Sequence, residues 1–364
     1  MLKRITVLGA VLLATTGIAC AQQPKIDFES YNPPSTLVVA EHPVSRSKFP
    51  FIDVHNHQYR MGSGSLSEIV THMDALNMKV MVNLSGGSGA DLKQKVDNAR
   101  KQYPGRFIVF HNIDFTGIGT DGWSEKAANQ LQEDYNNGAR GLKVFKNLGF
   151  SVKDARGNRV PVDDPRLDLI WKKCGELKIP VLIHTADPAP FWEELTNDNE
   201  RLLELYTHPR RKRSDTDPAP WEVLIAEQHR MFKKHPGTTF IAAHFGWYPN
   251  NLKKLDSLLT AMPNVVVEFG AVIAELGRQP RTAHDFFIKF QDRILFGKDS
   301  WVPAEYATYF RVLETSDEYF PYHKKYHAFW RMYGLGLPDD VLRKVYYKNA
   351  LRIIPGIDAG LFPR

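Results

Sequence analysis

The segment Asp53-Val54-His55-Asn56-His57 sets two imidazoles two residues apart, with a carboxylate two residues before the first. Side chains alternate along a strand, so on a strand these three share a face and the two rings lie roughly 6.6 Å apart along the chain. Two imidazoles so placed can hold one metal ion, with the carboxylate beside them. With 13 His in 364 residues the spacing alone proves little; its place at the end of an apolar run adds weight. Three more ionisable residues stand at equivalent places. His184 ends Val181-Leu182-Ile183, His244 follows Phe240-Ile241-Ala242-Ala243, and Asp299 follows Leu295-Phe296-Gly297-Lys298. A single ionisable group just past an apolar strand is costly unless it is paired or bound to metal. Four histidines and one aspartate in such places are hard to explain as separate packing features.

Something must bring these ends together. Eight short apolar runs recur along the chain: Phe51–Val54, Val80–Leu84, Phe107–Phe110, Gly141–Phe145, Pro180–Ile183, Thr239–Ala243, Val265–Phe269 and Ile294–Phe296. Several are too short for helices and rich in Val, Ile and Phe, which predicts buried parallel strands. Helical patterns fill most gaps: Ser65–Leu76 with a Ser65/Glu68 capping box, Ser124–Asn137, Asp164–Leu177, Pro220–Lys234, Asn250–Met262, Ala283–Gln291 and Asp339–Ile353. Strands that each return through a helix predict an α/β fold closed as a (β/α)8 TIM-type barrel over residues 49–358. An open doubly wound sheet is the alternative, but no glycine-rich phosphate loop follows the first strand. In a closed barrel the candidate residues end strands one, five, six and eight and converge on one pocket. Long stretches after strand five (186–218) and strand eight (301–337) would hang over that rim as lids.

Read in order, DVHNH, VLIHT, AAHFG and LFGKDS resemble the amidohydrolase superfamily, and within it the amidohydrolase-2 group of metal-dependent hydrolases and non-oxidative decarboxylases. The resemblance runs from about Phe51 to about Ile354 and includes the closing helix around Tyr347–Ile353. It implies that His55, His57 and His184 bind a metal ion. It implies that His244 is a ligand or polarises the substrate oxygen, and that Asp299 binds metal and takes a proton from bound water. Lys143 would match the carboxylated lysine that bridges two metals in binuclear members, if its face points inward. Lys146, of opposite parity, would stand at the rim and grip an anionic substrate or lie in solvent. Arg278 could clamp a carboxylate in bidentate fashion or pair with an acidic side chain. Weaker candidates are His111, Asp114 and Glu268. Trp192, Trp247 and Trp301 are pocket walls or core. His42, His72, His208, His229, His235, His284, His323 and His327 sit away from strand ends and read as surface or packing residues.

The composition, 43% hydrophobic and 24% charged with 25 Gly and 23 Pro, is that of a globular protein and excludes disordered, collagen-like and disulfide-stapled chains. Residues 1–21 read as a secretory leader: Lys3 and Arg4, an uncharged run from Ile5, then Ala19-Cys20-Ala21. Export to the periplasm or outside the cell is expected, with lipid attachment at Cys20 as the alternative. Residues 22–48 form a polar extension, and no other segment could span a membrane. Loss of the leader takes the net charge from +6 to +4 and leaves Cys174 as the one cysteine, so no internal disulfide is expected. The basic run Arg210-Arg211-Lys212-Arg213 is a solvated loop or a wall that draws in acidic substrates. No nucleic-acid motif accompanies it. These readings point to an enzyme acting on a small molecule with a divalent metal, Zn first, and one ion or two. Hydrolysis of an amide, lactone or ester-like bond leads. Decarboxylation of an unsaturated or aromatic acid is the second reading. An exported non-catalytic binding protein is the third, although a vestigial site should have lost ligands and all five positions are filled.

Overall fold

In the computed structural model, residue 27, residues 30–324 and residues 330–363 are described; the leader, Cys20 and His327 lie outside them. The chain divides into a leading unit through Ser35 and a second unit from Thr36 to Arg364. The second unit holds a barrel of eight parallel staves. They are Phe51–Asn56, Met78–Asn83, Phe107–Val109 continuing as His111–Asn112, Leu142–Val144, Val181–Ile183, Phe240–Ala242, Val265–Glu268 and Ile294–Leu295. Every neighbouring pair is parallel.

Two sheets make up the ring, one of the first three staves and one running from His111–Asn112 to the eighth. The third stave joins them by switching partners at Phe110. The Phe110 N–H bonds Asn83 in the second stave, and the His111 N–H bonds Gly141 beside the fourth. The ring closes where the Val54 N–H donates to Phe296 (2.9 Å) and the Asp299 N–H donates to His55 (2.7 Å). The staves are apolar on both faces because side chains fill the barrel inside and helices cover it outside.

The helices confirm the alternation and correct its details. The first spans Ser67–Leu76 with Leu66 at its N-cap, so the expected capping box does not form. Ser65 Oγ instead accepts the Ser67 N–H. The third long helix starts at Trp123 behind Gly122, and Ser124 Oγ donates to the Arg166 carbonyl rather than capping. A helix absent from the sequence reading, Gly89–Gln102, returns from the second stave. The stretch after stave five carries a short helix, Leu202–Thr207. The stretch after stave eight carries the helix Tyr306–Glu314 and an antiparallel pair, Phe320–Pro321 with Arg331–Met332. Cys174 is buried and forms no disulfide among the described residues, and burial pushes its thiol pKa up. No helix among the described residues is long and apolar enough to cross a membrane.

Candidate metal centre

The first and eighth staves meet at the carboxyl end of the barrel, and their histidines and aspartate meet with them. Asp299 Oδ1 lies 3.4 Å from His55 Nε2 and 3.4 Å from His57 Nε2. Asp299 stands at φ +82°, a conformation costly for a non-glycine residue, and strain of that kind clusters at functional sites. At the sixth stave the chain turns through left-handed backbone at His244, Phe245, Gly246 and Trp247. In a 3-10-like turn residues three apart eclipse, and the His244 and Trp247 rings stack at 4.6 Å. His184, from the fifth stave, meets His244 with ring centroids 4.4 Å apart.

The hydrogen bonds fix which nitrogens carry protons. His244 Nδ1 lies 2.6 Å from the Gly270 carbonyl, which only accepts, so Nδ1 is the protonated nitrogen and Nε2 carries the lone pair. His184 Nε2 donates to the Ala186 carbonyl at 3.0 Å, leaving the lone pair on Nδ1. His55 Nδ1 donates to Glu268 Oε1 at 2.8 Å, leaving the lone pair on Nε2. The lone pairs then face one another: His184 Nδ1 and His244 Nε2 are 3.2 Å apart, and His55 Nε2 faces the Asp299 oxygen. A cation satisfies such a set in one step, where separate donors or shared protons would otherwise be needed. Burial favours the neutral rings. It depresses His57 to about 4, and it holds His244 below and His184 well below the usual histidine value. Burial alone would raise the Asp299 pKa, but the neighbouring His55, His57 and His244 keep its carboxyl well below the usual range. Nitrogen donors with one carboxylate suit Zn, Mn, Fe or Co.

Glu268 organises this cluster from behind. Its Oε1 accepts from His55 Nδ1 and from the His244 N–H (2.9 Å), and its Oε2 accepts the Gly270 N–H at 2.6 Å. Burial alone would raise its pKa, but the adjacent His55 ring and its hydrogen bond bring it down to about 2. With its oxygens so engaged, Glu268 orients ligands rather than joining them. Lys143 points inward from the fourth stave. It is fully buried with no hydrogen-bond partner for Nζ among the described residues, and desolvation lowers it to about 8. Its Nζ lies 5.3 Å from the Phe145 ring centroid.

A cavity of about 210 Å³ opens beside the cluster, lined by His184, His244, Asp299 and Trp247 together with Lys146, Arg201, Arg211 and Lys324. Lys146 Nζ sits at the rim on Asp187 at 2.5 Å. Of the basic run, Arg211 lines the cavity and Arg213 pairs with Asp187. Arg278 takes the second of its two sequence readings, pairing with an acidic side chain, and it does not line the cavity. Its guanidinium pairs with Glu200 and stacks 3.6 Å from the Trp330 ring centroid. Arg201, which carried no sequence signal, stands there with Arg211 of the basic run. Asp53 is a correction to the sequence reading, since it faces backbone donors rather than the cluster. His111 is held by Asp134 at 2.7 Å in a separate buried pair. Trp192 donates to the Ala219 carbonyl, and Trp301 packs on Tyr306, so of the three tryptophans only Trp247 lines the cavity.

The amidohydrolase family model matches residues 52–356, which spans the barrel and every residue of the cluster. The chain belongs to the amidohydrolase family. Solved structures share its fold at low identity. A dihydroxybenzoic acid decarboxylase from Polaromonas sp. JS666, with bound manganese and the inhibitor 2-nitroresorcinol, is 14% identical with a TM-score of 0.54, covering 84% of this chain and 96% of that one. A 4-oxalomesaconate hydratase from Rhodopseudomonas palustris is 15% identical with a TM-score of 0.50, covering 85% and 97%. A TIM-barrel protein from Bordetella bronchiseptica is 18% identical with a TM-score of 0.50, covering 84% and 98%. No curated protein matches the chain at a significant level. The amidohydrolase family is one of metal-dependent enzymes, and the His/Asp/Glu groupings of this barrel fit that chemistry.

Proposed function

We propose that this amidohydrolase is a metal-dependent hydrolase that adds water across an amide, lactone or ester-like C–N or C–O bond of a small acidic molecule. One observation carries the reading: at the barrel's carboxyl end the lone pairs of His184 and His244 face each other, and that of His55 faces the carboxylate of Asp299. His55, His57, His184 and Asp299 would hold a divalent ion, zinc first, and Lys143 would admit a second if its amine were carboxylated. Such an ion, when bound, supplies an acidified water and polarises a carbonyl.

The chain's own groups move the protons. Asp299, kept ionised, accepts the proton of the attacking water and returns it to the leaving nitrogen or oxygen. General acid–base help of this kind is worth ~10²–10⁴ in rate. His244 cannot donate to a substrate oxygen while its only proton is on Gly270, so it acts as a ligand or a proton acceptor. Trp247 walls the cavity on one side. Lys146, Arg201, Arg211 and Lys324 also line it; Lys146 is paired with Asp187, and Arg201 and Arg211 with Glu204, so an acidic substrate would exchange with these carboxylates for the cations.

Those same cations favour a second reading, decarboxylation of an unsaturated or aromatic acid, in which a proton taken up from solvent would pass through Asp299 to carbon as CO₂ leaves. Purified protein loaded with Zn²⁺ or Mn²⁺ and offered lactones, amides, esters and phenolic acids separates the two. Hydrolysis yields a new acid with an alcohol or amine, and decarboxylation yields CO₂. Full turnover in Asp299→Asn would overturn both. Export belongs to the same proposal, and sequencing a mature N-terminus at Gln22 tests it.

A further inference from the structure

Asp53 is buried two residues before His55 and touches no other group of the metal cluster through its side chain except the His55 backbone. Four donors meet its carboxylate. Oδ1 accepts the His55 N–H at 3.0 Å and the Lys298 N–H at 3.1 Å. Oδ2 accepts the Asn56 side-chain amide at 3.0 Å and the Tyr306 hydroxyl at 2.6 Å. These donors come from the end of the first stave, from the residue before Asp299, and from the helix Tyr306–Glu314.

The joint they share is irregular. The register of the first stave against the second shifts between Asp53 and Asn56, and the first stave reaches the loop beyond the eighth through one bridge, Asn56 with Asp299. Buried N–H groups need acceptors, and at this joint a side-chain carboxylate takes the place of a strand carbonyl for both His55 and Lys298. Asp299 is bracketed as a result. The N–H before it is on Asp53, and its own N–H is on the His55 carbonyl. The buried Lys298 ammonium bonds the Ser300 carbonyl (2.7 Å) and Glu305 (2.6 Å) on the far side.

We infer that Asp53 is a positioning residue, a clasp across the barrel's closure that sets the separation of His55 from Asp299 and thereby the affinity of the centre for its ion. The inference rests on the metal-centre reading above. Ligand constellations tolerate about 0.5 Å of misplacement, and loss of an outer partner of a metal ligand typically weakens binding ~10–100-fold.

The test is a titration of the full-length apoprotein with Zn²⁺ against a chromophoric chelator, alongside apoprotein thermal unfolding, for wild type, Asp53→Asn, Tyr306→Phe and His55→Ala. The amide introduced by Asp53→Asn keeps an acceptor for the two backbone N–H groups but sets its NH₂ against that of Asn56. Asp53→Asn is expected to weaken Zn²⁺ by ~10-fold or more, and Tyr306→Phe by less, with the apo midpoint of the latter near wild type. Wild-type Zn²⁺ affinity in a folded Asp53→Asn protein overturns the clasp even if its midpoint falls. If that variant does not fold, unchanged affinity in Tyr306→Phe overturns it, and weakened affinity supports it. A wild type no tighter than His55→Ala overturns the metal centre itself and the clasp with it.

Discussion

Replacing Glu268 by Gln changes one atom's chemistry at the centre of the site. All three contacts of that carboxylate are donors: His55 Nδ1–H, the His244 N–H and the Gly270 N–H. An amide offers one oxygen. Placed at the Oε1 position, it keeps His55 and His244 but turns an NH₂ toward the Gly270 N–H, 2.6 Å from where the carboxylate oxygen had been. Leaving a buried donor unsatisfied costs about 1–3 kcal/mol. The neutral amide also orients the His55 ring less firmly than a carboxylate held ionised, and such outer-partner losses weaken metal binding ~10–100-fold, or about 1.4–2.7 kcal/mol. Thermal unfolding of the apoprotein and competitive Zn²⁺ titration read the two effects separately. Both are expected to fall. Unchanged Zn²⁺ affinity in a folded Glu268→Gln protein would refute the argument that this carboxylate aims His55 at an ion.

Gly297→Ala should damage the same contact from the other side, because a Cβ there would lie 2.4 Å from Glu268 Oε2 and 3.0 Å from His55 Cβ. Weakened metal binding is expected, and a variant with wild-type affinity and midpoint would contradict the packing described. Lys146→Gln should raise KM for acidic substrates several-fold with little change in kcat, since Lys146 stands at the rim and not among the ligands; a kcat loss at constant KM would place it in the chemistry instead. His229, on the outer helix Trp221–Lys234, is depressed by burial to about 4. The unfolded chain therefore takes up its proton first, so this residue's stability contribution is full above about pH 6.5 and is lost as pH falls toward 4. The ceiling is roughly 3 kcal/mol, reduced by the solvent that reaches a partly exposed ring. Denaturant unfolding at pH 7 and pH 4.5 should show a smaller pH effect in His229→Leu than in wild type, and equal effects would remove His229 from the acid response.

Much of the barrel was legible because strands covered on both faces become continuous apolar runs, and the ionisable residue that interrupts each run marks its carboxyl end. That logic puts His55, His57, His184, His244 and Asp299 at carboxyl ends of the staves, where the structure brings them near one another. It failed where a residue's role depends on an irregular joint. Strand alternation placed Asp53 beside the histidines, but the register break after it turns the carboxylate to backbone N–H groups. Glu268 carried a signal that was underweighted: a carboxylate closing Val265-Val266-Val267, fully buried and therefore in need of partners. The helix Gly89–Gln102 went unread because it is polar, burying Leu92, Val96 and Ala99 along with Lys95, whose ammonium bonds the Ser85 and Gly86 carbonyls. Arg278 shows a further limit, since chemical suitability for a carboxylate says nothing about reach, and Glu200 and Trp330 claim its guanidinium.

If His55, His57, His184, His244 and Asp299, from four staves, surround a divalent ion, the protein should carry one. Elemental analysis of the purified full-length protein, set beside the His55→Ala/His57→Ala variant, tests it most directly. At least one equivalent of a first-row divalent metal per chain in the wild type, lost in the double variant, is the expected result. A wild-type protein that carries no metal and takes up none from excess Zn²⁺, Mn²⁺, Fe²⁺ or Co²⁺ would contradict the account.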